Sequence, residues 1–371
     1  MPVSPDMAED LARTVAVLYE EAELVLIERI RAALAAGLES PLWAELKARA
    51  IGDLAAGVQA VIDALAADAT DATRQAVAEA YQRGMQAAVA ELGAVGVGQA
   101  AAAAEAVPAG AAVDRLAAAA VQETSSVHQR ILRVSVDAYR DVITRASAAP
   151  LTGANTRRQA AQRALDKFAA RGITGFIDAR GRAWDMVTYA EMATRSAVGR
   201  AAVQAHTDRL GAAGIDLVRV SRAPEECPLC RPWEGKVLTR DGAGGARTVQ
   251  VRHATDDTRM LTVRVSGSLP EARTAGLLHP NCRHSVSAYF PGLSRALEPV
   301  EQRGTYEQSQ QQRYLERQVR AWKRKAAAAL DEPARKRANA KVREYQARIR
   351  ALTAETGLPR KSHREQITGS R

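Results

Sequence analysis

All three cysteines of this 371-residue chain fall in two short motifs, Cys227–Pro228–Leu229–Cys230 and His279–Pro280–Asn281–Cys282–Arg283–His284. A Cys-x2-Cys turn lets two thiolates bind one ion, and His-x2-Cys or Cys-x-His can supply the rest of a tetrahedron. Thiolate and imidazole donors select Zn2+ over harder cations. The spacing therefore predicts a zinc site with Cys227, Cys230 and Cys282 as ligands and either His279 or His284 as the fourth. Four protein ligands leave no open position for water, so the expected ion is structural rather than catalytic. Three cysteines are too few for a disulfide framework, which points to a reducing compartment.

Enzyme signatures are absent. A zinc deaminase needs H-x-E ahead of P-C-x-x-C, yet the one H-x-E, His363–Arg364–Glu365, follows the cysteines. No H-E-x-x-H, G-x-S-x-G or P-loop motif occurs. A metal nuclease built on His253 or His279 beside Asp256 and Asp257 lacks a general-base dyad, and the Asp pair reads more simply as a turn. His128 reads as a solitary surface or cap residue and His206 as an ordinary helix residue. The expectation is a protein that is not an enzyme.

The second constellation is electrostatic. The chain carries 52 Lys+Arg against 42 Asp+Glu, and the whole excess of ten lies in residues 301–371, leaving a neutral body. At about 100° per residue, Arg313, Arg317, Arg320 and Arg324 fall on one helix face. Leu315, Val319, Trp322 and Ala326 fall on the other. The pattern predicts an outward guanidinium face contacting a polyanion, such as DNA without sequence preference, or an acidic protein. A second tail helix, after a break at Asp331–Glu332–Pro333, carries the seam Val342, Tyr345, Ile349, Leu352 and a basic stripe of Lys336, Arg343 and Arg350.

These groups must be positioned by a chain with 78 alanines and only 15 aromatic residues. Alanine favours helix, whereas strands draw on β-branched and aromatic residues, so the expected class is mainly α with a small α+β domain. Helical periodicity covers 6–36, a stretch from Ser40 as N-cap with Pro41 at N1, then 71–92, 110–146 and 155–170. The second of these would bury Trp43, Leu46, Ala50, Leu54, Val58, Val61 and Leu65. A hairpin turning at Arg180–Gly181 follows, then a helix from Met186 to about Gly211. Strands are expected at 216–221, 236–240, 247–252 and 260–265, with turns at Asp241–Gly242 and Asp256–Asp257. The division is 1–171, an alanine-rich helical bundle; 172–300, the small α+β domain with the Cys/His cluster; and 301–371, a basic helical tail. The opening residues are acidic and lack an apolar run, so no secretory signal is expected. Residues 93–121, interrupted by Glu105, Pro108, Asp114 and Arg115, do not make a membrane span.

Several strings resemble one family. They are Glu226–Cys227–Pro228–Leu229–Cys230–Arg231–Pro232–Trp233–Glu234–Gly235–Lys236–Val237, Gly276 through His284, and Tyr289–Phe290–Pro291–Gly292. Tyr306 through Arg317, Tyr189 through Arg195 and Trp43–Ala44–Glu45–Leu46–Lys47 extend the likeness in order along the chain. Together they are similar to the tailed-phage minor capsid protein 2 family, relatives of Mu-type portal-associated head morphogenesis proteins. The resemblance implies a low-copy virion component near the portal, with portal and capsid proteins as partners and a role in head assembly, packaging or ejection. It also implies residence in the host cytoplasm during assembly. The reading from a different class is a DNA-acting metal-dependent enzyme or injected effector built on 172–300.

Overall fold

Alanine dominates the helices, and the computed structural model shows how closely they use it. It describes residues 5–96, 110–149, 156–177, 181, 183–224, 227–279 and 282–367. Helices α1 (Pro5–Ala35), α2 (Trp43–Arg49), α3 (Ile51–Ala94), α4 (Gly110–Ala148) and α5 (Arg157–Arg171) come first. Strands β1 (Thr174–Ile177) and β2 (Ala183–Asp185) form an antiparallel pair ahead of α6 (Met186–Ala212). Next come β3 (Leu217–Val220), β4 (Val237–Thr239), β5 (Arg247–His253), β6 (Asp256–Val265), α7 (Leu269–Thr274) and β7 (Val286–Ala288). Helices α8 (Tyr306–Ala327) and α9 (Glu332–Thr356) follow. The chain is mainly α with a small α+β part.

Contacts group the chain into two compact units. The first comprises Met1–Thr14, Thr73–Val121 and Met192–Tyr306; the second comprises Val15–Ala72, Gln122–Glu191 and Glu307–Arg371.

In the first unit, β3 is the centre of a three-stranded antiparallel sheet of order β4-β3-β7. Val218, Val220, Leu238, Val286 and Ala288 share a core with Leu92, Val203, Leu210, Leu269, Leu277, Phe290 and Cys230. A second cluster in this unit is largely alanine: Ala8, Ala76, Ala80, Ala117, Ala120, Ala197, Ala201 and Ala202, with Leu11, Val77 and Val198. Such small faces let backbones approach closely. At Gly84 of α3 an added Cβ would lie 2.2 Å from the Ala202 carbonyl oxygen of α6, so no other residue fits there without displacing a helix.

The second unit buries Tyr19, Leu26, Ile27, Ile30, Leu34, Trp43, Val58, Ile62, Leu65, Ile131, Tyr139 and Leu165. Trp43 is fully buried and its indole donates to the Leu34 carbonyl at 3.0 Å. The tail helices pair through Leu315, Val319 and Ile349, flanked by Val342, Tyr345 and Leu352, as their seam predicts. Asp331 caps α9 by accepting from the Ala334 amide, with Pro333 in its first turn and Gly357 left-handed at φ 70° at its end.

Several boundaries differ from expectation. Helix α2 begins at Trp43, not at Pro41: the Trp43 amide closes a tight turn on the Ser40 carbonyl at 3.1 Å, and Leu42 stands at the N-cap without a side-chain cap. A 49° bend at Ala50 separates α2 from α3. It resets the helical phase, so Leu46 is exposed and Ile62 replaces Val61 in the core. Helix α3 then runs unbroken through 65–71. The β5–β6 turn is Ala254–Thr255, while Asp256 opens β6 and pairs with His253. Gly181 is left-handed at φ 75°, as a hairpin turn requires; Arg180 lies outside the described residues, as do residues 97–109 of the Ala/Gly-rich stretch. No single helix among the described residues is long and apolar enough to cross a membrane.

Candidate metal centre

The two cysteine motifs meet because both are anchored to β3. Cys227–Cys230 lies on the β3–β4 connection, and the adjacent strands pair Arg219 with Val237. The Cys230 and Arg231 amides both donate to the Cys227 carbonyl at 3.1 Å. This tight turn runs into a 3-10 turn at Arg231–Trp233, and Gly235, left-handed at φ 71°, leads back into β4. The second motif enters β7, which pairs with β3 through Val220 and Val286. Ser221 and Ser285 stitch the junction: Ser221 N–H donates to the Ser285 carbonyl, and Ser285 N–H donates to Ser221 Oγ, each at 2.9 Å. Upstream, the short helix α7 is set by a reciprocal cap between Ser268 and Glu271. Leu278, just before His279, has φ 59°, a conformation that costs a branched L residue about 1–3 kcal/mol.

The five predicted ligands converge. Donor atoms of Cys227, Cys230 and His279 lie within 4.8 Å of one another, as do those of Cys230, Cys282 and His284. Cys230 belongs to both triads and is fully buried. Cys227 Sγ is 2.9 Å from His279 Nε2, Cys230 Sγ is 3.4 Å from Cys282 Sγ, and Cys282 Sγ is 3.4 Å from His284 Nδ1. No disulfide links them.

Glu234, which spacing alone did not single out, stands behind His284. Its Oε1 lies 2.5 Å from His284 Nε2 and also accepts from the Ala223 amide at 3.1 Å. A carboxylate behind a ligating imidazole fixes its ring orientation and raises its basicity.

The electrostatics favour an ionised sulfur. The hydrogen bond from Cys230, opposed by burial and reinforced by the His284 ring and amide, holds the Cys282 thiol down to about 4. The same contact, with burial, pushes the Cys230 thiol up. Burial works against a charged His284, but hydrogen bonds to Cys282 and Glu234 outweigh it and raise its pKa. Soft donors in this arrangement suit a tetrahedral divalent ion.

The remaining histidines do not join the cluster. His206 is fully buried with Nε2 3.1 Å from Glu91, whose same oxygen accepts from the Ala288 amide. His128 is not solitary: it stacks on Tyr19 at 5.7 Å between ring centroids, with Nε2 2.9 Å from the Tyr19 hydroxyl.

The expected outward guanidinium face is corrected. Arg317 is exposed and Arg313 half-buried, but Arg320 and Arg324 are buried. Arg320 donates to the Arg364 carbonyl at 2.7 Å and to Thr188 Oγ1 at 3.3 Å. Arg324 donates to the Ala169 and Ala170 carbonyls at 2.9 and 3.4 Å and pairs with Glu23 at 3.3 Å. Helix α8 is covered on both faces, by α9 on one and by the α5 end and α1 on the other. Arg320 and Arg324 satisfy carbonyls, a hydroxyl and a buried carboxylate instead of facing solvent. The predicted stripe Lys336, Arg343 and Arg350 of α9 is exposed, as are Arg335, Arg337, Lys341 and Arg348 of the same helix.

The family model described as phage minor capsid protein 2 matches residues 3–354. A protein named "Structural protein" from Lactococcus phage LL-H is 28% identical over 246 residues, 63% of this chain and 62% of that relative. The chain thus spans about three fifths of that relative's length. A second "Structural protein", from Lactococcus phage mv4, is 34% identical over 101 residues, 25% of this chain and 82% of the relative. No solved structure matches.

Proposed function

Since this chain belongs to the phage minor capsid protein 2 family, we propose that it is a structural component of the virion head whose Cys/His centre holds one structural Zn2+. The observation that carries the metal is the convergence of three sulfurs and two imidazoles from two loops tied to one strand. Cys227, Cys230 and Cys282 are the common ligands. We assign the fourth position to His284, because Glu234 fixes its ring; His279 is the alternative. An ion with four protein ligands would cross-link the β3–β4 turn to the entry of β7 and stiffen the small sheet.

Within the head, we place the protein at the portal vertex in few copies, contacting portal and capsid proteins during assembly in the host cytoplasm and acting in assembly, packaging or ejection. Family membership and the relatives' names support a virion role; the position within the head extends that reading. Sequence-independent DNA contact would use the exposed charges Arg317, Lys336, Arg343 and Arg350, since Arg320 and Arg324 are engaged inside.

Metal analysis of natively purified protein should give about one zinc per chain, and Cys230→Ser should abolish it. A folded, zinc-free native protein would overturn the metal reading. Quantitative mass spectrometry of purified particles tests the other part, and absence from both precursor and mature heads would refute it.

A further inference from the structure

Cys282, His279 and His284 also border a cavity of about 230 Å3 that the metal reading leaves without a purpose. One wall is a face of α6. Arg195, Gly199, Arg200 and Val203 all line it, and at 100° per residue they fall within an arc of about 140°. Gly199 opens this wall: a Cβ built there would meet nothing within 4 Å. The facing wall comes from the last turn of α7 and the strained segment after it, with Arg273, Leu277 and Leu278, and Ser285 adds a hydroxyl group to the lining.

Apart from the Cys282 sulfur, which belongs to the metal cluster, the charged side chains of this lining are guanidinium groups. Three guanidinium groups and two imidazoles border the space, and among the described residues no carboxylate does. Burial lowers the Arg273 pKa and the Arg200 charge lowers it further, against a smaller opposing effect of Asp208. Like charges gathered around one cavity repel, and an anion between them would turn that repulsion into attraction. Guanidinium forks match the paired oxygens of a phosphate better than any other common anion-binding side chain. The size of the cavity narrows the ligand. At about 30 Å3 per water it holds the equivalent of seven or eight waters, more than a lone tetrahedral anion fills. Val203, Leu277 and Leu278 offer an apolar wall for what remains.

We propose that this cavity binds a phosphate group, held by Arg195, Arg200 and Arg273, either as free orthophosphate or as the phosphate of a small monoester whose organic part packs on Val203, Leu277 and Leu278. The site stands on the cavity and its arginines, independently of which imidazole ligates a metal.

Isothermal titration calorimetry on the zinc-loaded full chain tests it, with orthophosphate, thymidine 5′-monophosphate and thymidine as probes. Orthophosphate and the nucleotide should bind once per chain, and thymidine should not bind. Tighter binding of the nucleotide assigns the monoester as ligand; equal affinity assigns free phosphate. Arg273→Gln should weaken binding about tenfold or more, as loss of a charged hydrogen-bonding partner does. Arg273→Lys, which keeps the charge without the fork, should fall between. Arg200 is exposed at the rim, so Arg200→Gln provides a variant without a buried change and should also weaken binding. Absence of saturable phosphate binding at millimolar concentration, or Arg200→Gln and Arg273→Gln affinities equal to that of the parent, would overturn the proposal.

Discussion

Arg324 and Glu23 provide the sharpest test of how the second unit is held together. Their side chains are only 6% and 3% exposed and meet at 3.3 Å. The remaining polar atoms are also committed: Glu23 Oε1 accepts from the Ile173 amide at 2.9 Å, while Arg324 satisfies carbonyls of Ala169 and Ala170 at the end of α5. Gly172 makes room for the pair, since a Cβ there would lie 2.6 Å from Glu23 Oε1 and its φ is 69°. Arg324→Met strands a buried carboxylate, which costs about 3–5 kcal/mol. Glu23→Leu strands a buried guanidinium and should cost a similar amount. The double variant carries neither charge but leaves the two carbonyls and the Ile173 amide without partners, at about 1–3 kcal/mol each at most. The three free energies should therefore fail to add, with a coupling of about 2–3 kcal/mol. Urea unfolding followed by tryptophan fluorescence in a Trp233→Phe background reads this unit alone, because Trp43, Trp184 and Trp322 all belong to it. The cost should persist at high salt, where exposed pairs are screened. Single variants within about 1 kcal/mol of the parent, or strictly additive costs, would refute this account.

Glu234→Gln should lower zinc affinity by about 10–100-fold if His284 is the fourth ligand, read by competition with a chromogenic chelator; unchanged affinity with loss in His279→Ala would move that position to His279. Gly84→Ala pushes a methyl group into the Ala202 carbonyl and should destabilise the first unit by about 1–3 kcal/mol, measurable as an earlier Trp233 transition in urea. Burial raises the Glu316 pKa above its ordinary 4.5, against the nearby charges of Arg364, Arg320 and Arg313. A carboxyl raised in the folded state favours folding below that value, so its contribution is lost as pH climbs through the raised one. Comparing urea midpoints of the parent and Glu316→Gln from about pH 4 to 7 should show a relative gain for the variant toward neutrality, and parallel profiles would contradict it. DNA retention should weaken with salt at a log–log slope of roughly −3 for three or four phosphate contacts, and Lys336, Arg343 and Arg350 changed together to Gln should flatten it.

The helices and the cluster were legible because each leaves a local mark. Alanine content and 3.6-residue periodicity specify α1, α4, α5 and α6 to within a few residues, and the Asp331–Pro333 break marks where α9 begins. The cysteines name themselves by rarity and spacing. What escaped depends on tertiary contacts. Strand β7 is three residues long, too short for a period to show, and exists because β3 offers it an edge. Glu234 is one acid among many until His284 is seen beside it. The arginine stripe was correct as a pattern on α8 but silent about what covers it. A helical wheel shows which residues share a face, and a carbonyl-bearing helix end can bury arginines as readily as leucines. The bend at Ala50 has no proline to announce it, and Gly52 beside it reads as one more small residue within a helical run.

The architecture of the small sheet also sets an order of events for the chain as it folds. Val220 meets Val286 and Cys230 meets Cys282 only after the intervening β4, β5, β6 and α7 have been made. Closing that long loop is the slow, non-local step. Until it happens the nascent chain can offer an ion only the Cys227–Cys230 pair, a partial and weakly retained set. Full capture of the proposed zinc would therefore mark the docking of β7, and the rate at which the folding protein withdraws zinc from a fluorescent indicator would time the completion of this sheet.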